Sequence, residues 1–165
     1  MAALIIESDV TAVVQAAIDK HGKKRDALIP ILSEINHVFG YVPGEAFREM
    51  RKQLYDPAEH MYVAESQLYA LASFYDMLST KPRGRHVIKF CENAPCHVVG
   101  GKAIWDTLKE ELKLENGETT PDFKWTLVTT SCLGLCSVGP VMLIDDDIYG
   151  NVMPEQIPAI LNKYK

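Results

Sequence analysis

Residues 86–96 read His86-Val87-Ile88-Lys89-Phe90-Cys91-Glu92-Asn93-Ala94-Pro95-Cys96, and residues 123–136 read Phe123-Lys124-Trp125-Thr126-Leu127-Val128-Thr129-Thr130-Ser131-Cys132-Leu133-Gly134-Leu135-Cys136. Each stretch opens with a β-branched and aromatic run, the composition of a strand. Each run ends at a cysteine pair, C-x4-C at Cys91 and Cys96 and C-x3-C at Cys132 and Cys136, with 35 residues between the pairs. In an α/β sheet the carboxyl ends of neighbouring strands converge on one edge, the usual place for a ligand crevice. Two such ends can present four thiolates to one centre.

Outward from these stretches, the spacing of Ile104, Leu108 and Leu112 predicts a helix over residues 98–114, with Trp105 near its apolar face. Asn116-Gly117 reads as a turn, and residues 140–144 and 148–152 as a hairpin joined by Asp145-Asp146-Asp147. Pro154 then starts a final helix over residues 155–164. The order β-α-β-β-β-α predicts a helix-flanked sheet with a parallel β-α-β start and a terminal hairpin. A thioredoxin-like layout fits that order.

Residues 1–85 are different in kind. They carry no cysteine and balance 10 basic against 11 acidic residues, whereas residues 86–165 hold all four cysteines with 7 basic and 11 acidic residues. The periodicity is helical. Ser8 or Asp9 is placed to cap a helix bearing Val10, Val13, Val14, Ala17 and Ile18, which ends at Gly22. Asp26 is placed to cap a second, with Leu28, Ile31, Leu32, Ile35, Val38 and Phe39 on its apolar face and Gly40 at its end. Pro30 is tolerated in its first turn. Pro43-Gly44 opens a third helix through Leu54, and a fourth spans residues 64–78. No titratable cluster stands out. The segment Ser79–Arg85 reads as a linker or tight connection. The expected organisation is a helical bundle at 1–80 and a cysteine-bearing α/β domain at 81–165, making the chain α+β overall.

Composition limits the function. The 165 residues suffice for a core without disulfide staples, so the cysteines need another purpose. A net charge of −5 argues against a nucleic-acid partner. No stretch approaches the ~20 apolar residues of a membrane span, so no direct membrane insertion is expected. The first ten residues lack a basic region and a long apolar run, which predicts a cytoplasmic chain of bacterial or archaeal type. There is no G-x-G-x-x-G fingerprint and no P-loop. The chain is therefore expected to bind no nucleotide and to hold no catalytic site of its own.

Three centres compete for the four thiols. Structural zinc takes four cysteines, usually from C-x2–4-C pairs, a range these spacings touch without matching the common paired C-x2-C form. Thiol redox chemistry favours C-x-x-C, which neither pair shows. A [2Fe-2S] cluster carries roughly −2 charge on four thiolates and needs N–H donors aimed at sulfur. Gly134 and Gly139 in the second loop, and Gly100-Gly101 beyond the first, permit that close approach. Cys96 falls near the start of the following helix, where the dipole favours negative charge, and Leu133, Leu135 and Val138 are placed to exclude water. His97 suggests a Rieske-type ligand, but it adjoins Cys96 and would have difficulty reaching the same iron.

Recognisable motifs run through nearly the whole chain: Leu28-Ile-Pro-Ile-Leu, Phe39-Gly-Tyr-Val-Pro43, Ala72-Ser-Phe-Tyr75, Lys81-Pro-Arg-Gly-Arg85-His-Val-Ile, Cys91-x4-Cys96-His97, Gly117-Glu-Thr-Thr-Pro-Asp122, Cys132-Leu-Gly-Leu-Cys136 and Tyr149-Gly-Asn151. In these the chain resembles the thioredoxin-like [2Fe-2S] ferredoxin subunit of the NADH-dehydrogenase module of respiratory complex I. It is equally similar to the matching subunit of NAD(P)-linked, often electron-bifurcating, hydrogenases and formate dehydrogenases. The resemblance implies a helical bundle followed by a thioredoxin-like [2Fe-2S] domain, with Cys91, Cys96, Cys132 and Cys136 as the cluster ligands. It also implies a partner flavoprotein subunit that binds FMN and NAD(P)H and holds its own iron–sulfur clusters, with further iron–sulfur subunits beyond it. Two positions depart from the family's pattern. Ser131 stands where an acidic residue commonly precedes the third cysteine, and Gly139 where alanine usually precedes Pro140; both bear on the reduction potential. The chain's shortness and the missing leader favour the soluble complexes over the membrane-bound one.

Overall fold

In a computed structural model, which describes residues 7–58 and 61–164, the chain forms two units that divide between Pro82 and Arg83. Residues 1–6, which bear on the leader, and the side chain of Ser8 lie outside the described residues.

The first unit is helical: α1 (Glu7–His21), α2 (Leu28–Phe39), α3 (Gly44–Gln53) and α4 (Glu65–Phe74). Their apolar stripes meet in one core of Val14, Ile18, Ile31, Leu32, Ile35, Met50, Leu54 and Leu68, all essentially inaccessible to solvent. Three boundaries differ from the expectation. Helix α1 is already formed at Glu7, so Asp9 lies inside it. A 3-10 turn over Arg25–Ala27 precedes α2, which places Asp26 within that turn, where no side-chain cap forms. Helix α4 stops at Phe74 because Tyr75 is extended, and Leu78 reaches the core from a turn in which its N–H donates to the Tyr75 carbonyl.

The second unit is a five-stranded mixed sheet with helices: β1 (His86–Cys91), α5 (Ala94–Cys96), α6 (Lys102–Leu112), β2 (Glu118–Thr119), β3 (Trp125–Thr130), β4 (Met142–Ile144), β5 (Asp147–Tyr149) and α7 (Ile157–Leu161). The strand order is β2-β3-β1-β4-β5. Strands β1 and β3 are parallel, with Cys91 opposite Thr130, and β4 and β5 form the antiparallel terminal hairpin beside β1. The expected β-α-β start and carboxyl-terminal hairpin are therefore present, and the chain combines helices with a mixed sheet in the α+β manner. Alternate residues Ile88 and Phe90 on β1, Trp125 and Leu127 on β3, and Met142 and Ile144 on β4 meet Ile104 and Leu108 of α6 and Ile157 and Ile160 of α7.

Four details were not expected. The two-residue strand β2 pairs with β3 outside any periodic run. Strand β3 begins at Trp125, because Phe123 sits in a turn with φ 53°. Gly84 and Arg85 are engaged with the sheet: the Gly84 N–H donates to Thr126 Oγ1 at 2.6 Å and the Arg85 N–H to the Phe123 carbonyl at 2.9 Å. Lastly, the helix expected from residue 98 starts at Lys102. Residues 97–101 form an irregular π-type turn with Gly100 at φ 106°, a conformation that L side chains rarely adopt. That turn leaves Val98 and Val99 exposed.

Candidate metal centre

The parallel register of β1 and β3 brings the cysteine loops together. Cys91 ends β1, and the Glu92 N–H donates to the Thr130 carbonyl at the end of β3. The second loop then turns through Gly134, whose φ of 77° lets its N–H donate back to Cys132 Sγ at 3.4 Å. A 3-10 turn over Cys136–Val138 follows, and the chain returns through Pro140 and Val141 beside the first loop. The Val141 carbonyl accepts the Cys91 N–H at 3.2 Å.

The sulfurs come as two pairs. Cys132 Sγ and Cys136 Sγ are 3.6 Å apart and exposed, whereas Cys91 and Cys96 are hydrogen-bonded to each other and each only 1% exposed. All four thiols are free. Cys91 and Cys96 share a small apolar cluster with Val141, and Leu133, Leu135, Val138 and Leu143 pack against it. The three residues expected to exclude water are thus in place.

Backbone donors converge on the sulfurs from both loops. Burial alone would raise the Cys91 thiol, but the N–H groups of Asn93 and Leu133 and the Cys96 thiol outweigh it and hold Cys91 below the ordinary thiol range. Leu133 belongs to the second loop, so this donor crosses between the pairs. Cys96 is pushed up by burial and by Cys91, against a Val141 N–H that favours its thiolate. Cys136 is pushed up first by its hydrogen bond with Cys132 and then by the other charges in the site, including Cys91. A set of thiols that oppose one another's ionisation is the electrostatic condition of a site built to share thiolates with a cation.

The arrangement fits a two-iron cluster in its donor chemistry. Four thiols stand in two pairs, with an N–H donor directed at Cys91, Cys96 and Cys132 and apolar side chains packed on the buried pair. Among the described residues, no three Cys, His, Asp or Glu side chains gather closely enough to hold a single metal ion. That separation favours two metal positions over one tetrahedral zinc. His97 is exposed and lines a pocket of about 270 Å³ with Phe90, Glu92, Lys102 and Trp105.

Two glycines brace the loops from outside. A Cβ on Gly101 would lie 2.6 Å from the Cys96 carbonyl oxygen, and one on Gly150 would lie 3.0 Å from the Val138 carbonyl oxygen and 2.9 Å from its Cγ2. The Asn151 N–H donates to that same Val138 carbonyl at 2.6 Å, so the end of β5 holds the turn that carries Cys136. The doublet Gly100-Gly101 signals close approach in the sequence. The Gly150 contact has no such signal, because its partner is 12 residues earlier in the chain and across the sheet.

A mixed sheet whose parallel strand ends carry four free thiols under backbone N–H donors defines a thiolate metal centre on an α/β scaffold. The chain belongs to the thioredoxin-like [2Fe-2S] ferredoxin family, whose profile matches residues 14–165, and the cofactor of that family is a [2Fe-2S] cluster. It is 36% identical over 141 residues to a subunit of the NADH-quinone oxidoreductase of Salmonella typhimurium, covering 86% of this chain and 81% of that one. It is 33% identical over 142 residues to the NADP-reducing hydrogenase subunit HndA of Solidesulfovibrio fructosivorans, covering 86% and 79%. In fold it is similar to an air-oxidised NAD+-reducing [NiFe]-hydrogenase, with a TM-score of 0.56 and 21% identity over 94% of this chain. It spans 22% of that hydrogenase chain. Among the described residues, no helix is long and apolar enough to cross a membrane.

Proposed function

We propose that this chain is the electron-transfer subunit of a multi-subunit NAD(P)-linked oxidoreductase, and that Cys91, Cys96, Cys132 and Cys136 are the ligands of its one [2Fe-2S] cluster. The observation that carries the reading is the convergence of four free thiols, in two pairs, on the carboxyl ends of parallel β1 and β3 beneath N–H donors from both loops. When bound, the cluster supplies one-electron redox chemistry. The residues of this chain do the rest. Cys91 and Cys96 anchor the buried side, and Cys132 and Cys136 hold the side nearest solvent. The N–H groups of Asn93, Leu133, Gly134 and Val141 stabilise charge on sulfur. Leu133, Leu135 and Val138 limit water.

The electron partner is a flavoprotein subunit that holds FMN, NAD(P)H and its own clusters, since a flavin splits a hydride into the single electrons such a centre accepts. The parent is a cytoplasmic hydrogenase or formate dehydrogenase, of bifurcating type, a reading supported by the relative that is a subunit of an NADP-reducing hydrogenase. The relative from an NADH-quinone oxidoreductase favours a second reading, the same subunit in respiratory complex I. Neither reading gives this chain a catalytic site of its own.

Anaerobic expression and purification test the centre. About two irons per chain and a [2Fe-2S] paramagnetic resonance signal on reduction are expected. A colourless, iron-free protein loaded with zinc would overturn the reading. Genes for a hydrogenase or formate dehydrogenase beside this one, against a full set of membrane subunits, decide between the parents.

A further inference from the structure

Val98 and Val99 lie beside the buried cysteine pair and are nonetheless 82% and 56% exposed. Their exposure is built in. Gly100 at φ 106° bends the segment out of helical geometry, and Gly101 lies so close to the Cys96 carbonyl that no other residue fits. The bend therefore turns two valines, which a regular helix would carry in its apolar stripe, toward solvent. Val99 remains next to the second loop, since a Cβ on Gly139 would touch both Val99 Cγ2 and Cys96 Sγ at 3.4 Å. Exposed Cys132 and Cys136, with half-buried Leu133, Leu135 and Val138, continue the apolar surface across that loop.

The surface also lacks charge. Residues 93–101 and 131–144 contain no Asp, Glu, Lys or Arg, although charged residues make up 24% of the chain. The charge-free stretches are flanked by Glu92 and Lys102 on one loop and end at Asp145 on the other. Any charged group that a partner brought against this face would lose its hydration and find no counter-charge, a cost of several kcal/mol. Uncharged apolar groups would gain by burying Val98, Val99 and the loop leucines. The exposed sulfurs lie on the same surface, so a partner seated there approaches the centre from its Cys132 and Cys136 side.

From this face we infer an electron port, in which residues 93–101 and 131–140 form an uncharged docking surface for the apolar, charge-poor face of the flavin-bearing electron partner. It rests on the function proposed above and adds where the partner binds and by which forces. The contact is held by apolar burial rather than ion pairs, so the complex persists in salt. Ionic encounter surfaces, by contrast, weaken steeply as salt screens them.

The test uses the full chain, affinity-tagged in its native host, with the assembly isolated anaerobically at low and at high sodium chloride. Flavin, iron and the reduced resonance signal are measured per tagged chain. The wild-type chain is expected to retain flavin at both salt concentrations. Val98→Asp and Val98→Lys are both expected to lose flavin by at least about tenfold while keeping iron and signal. Retention of flavin by both variants overturns the docking surface and leaves the proposed function standing. Loss with one sign of charge only, or stripping of the wild-type assembly by salt, shows an ionic contact and overturns it too. Loss of iron together with flavin would make Val98 a positioning residue for the loop and overturn the port. A wild-type chain that carries its cluster but brings down no flavoprotein at either salt concentration overturns the proposed function, and the port with it.

Discussion

Gly101 and Gly150 have nearest neighbours that are backbone atoms, which cannot swing aside as a side-chain tip does. Gly101→Ala must displace the carbonyl of Cys96, and Gly150→Ala the carbonyl of Val138, two residues after Cys136. Both variants are expected to shift the midpoint potential and the resonance g-values of the centre, read by redox titration, with the larger effect at Gly101, where the clash is 2.6 Å against 3.0 Å. Gly139 is the informative contrast. A Cβ there meets its neighbours at 3.4 Å, an ordinary contact, so Gly139→Ala is expected to fold and load normally. The alanine methyl would sit against Cys96 Sγ and remove solvent from it. The doublet at 100–101 could be read as close approach from residue type alone. Which glycine was irreplaceable, and against what, needed the path of the returning chain.

The hairpin shows how one element secures another. Asp145, at φ 55° between β4 and β5, accepts the Val87 N–H at 2.9 Å and pairs with His86 Nδ1 at 2.7 Å, so the turn that closes the hairpin also ties down the start of β1. Asp145→Ala is expected to cost about 1–3 kcal/mol in chemical denaturation, the usual range for bonds to a charged acceptor. Tyr164, beyond α7, donates to Asp147 Oδ2 at 2.7 Å and stacks edge-on against Trp125. Burial, then its bonds to Tyr149 and Asp147, push its phenol far above the ordinary tyrosine range. A group raised on folding contributes its stability in full below its unfolded pKa, here ~10, and loses it as pH rises beyond that. Tyr164→Phe is expected to lower the melting temperature at pH 8 and to narrow its gap from wild type above pH 10. The alternation of apolar residues made β1, β3 and the hairpin visible in the sequence. Strand β2 stayed hidden because two residues have no period, and the true start of α6 because a backbone kink leaves side-chain spacing unchanged.

The whole molecule meets acid through exposed carboxylates. Asp122 is held below its ordinary range first by the Thr120 hydroxyl and then by the Lys124 N–H, and Glu34 by Lys20 and then His21. Each depressed carboxylate contributes stability above its unfolded pKa of ~4 and loses it as pH falls through the lower folded value. Asp122→Asn is therefore expected to flatten the acid limb of a stability-against-pH curve, followed by circular dichroism, and to leave neutral pH nearly unchanged in slope. The two units suggest a second measurement at this scale. Their cores contain different residues, and we expect Leu127→Ala, which opens a cavity in the sheet core, to destabilise residues 83–164 by about 2–5 kcal/mol. Hydrogen exchange in the α1–α4 unit is expected to change little, and equal loss of protection in both units would show a single cooperative block.

From residue type and period alone followed the helical first unit, the β-α-β start, the terminal hairpin and the loops that carry the cysteines. These are local properties: propensity, alternation and turn chemistry act over a few residues. Only tertiary structure decided that Leu133 donates to Cys91 across the two loops, that the sulfurs divide into a buried and an exposed pair, and that Val98 and Val99 face solvent. Those facts depend on the parallel register of β1 with β3 and on the kink at Gly100, which bring together atoms far apart in the chain. No spacing along one strand encodes the distance to the next.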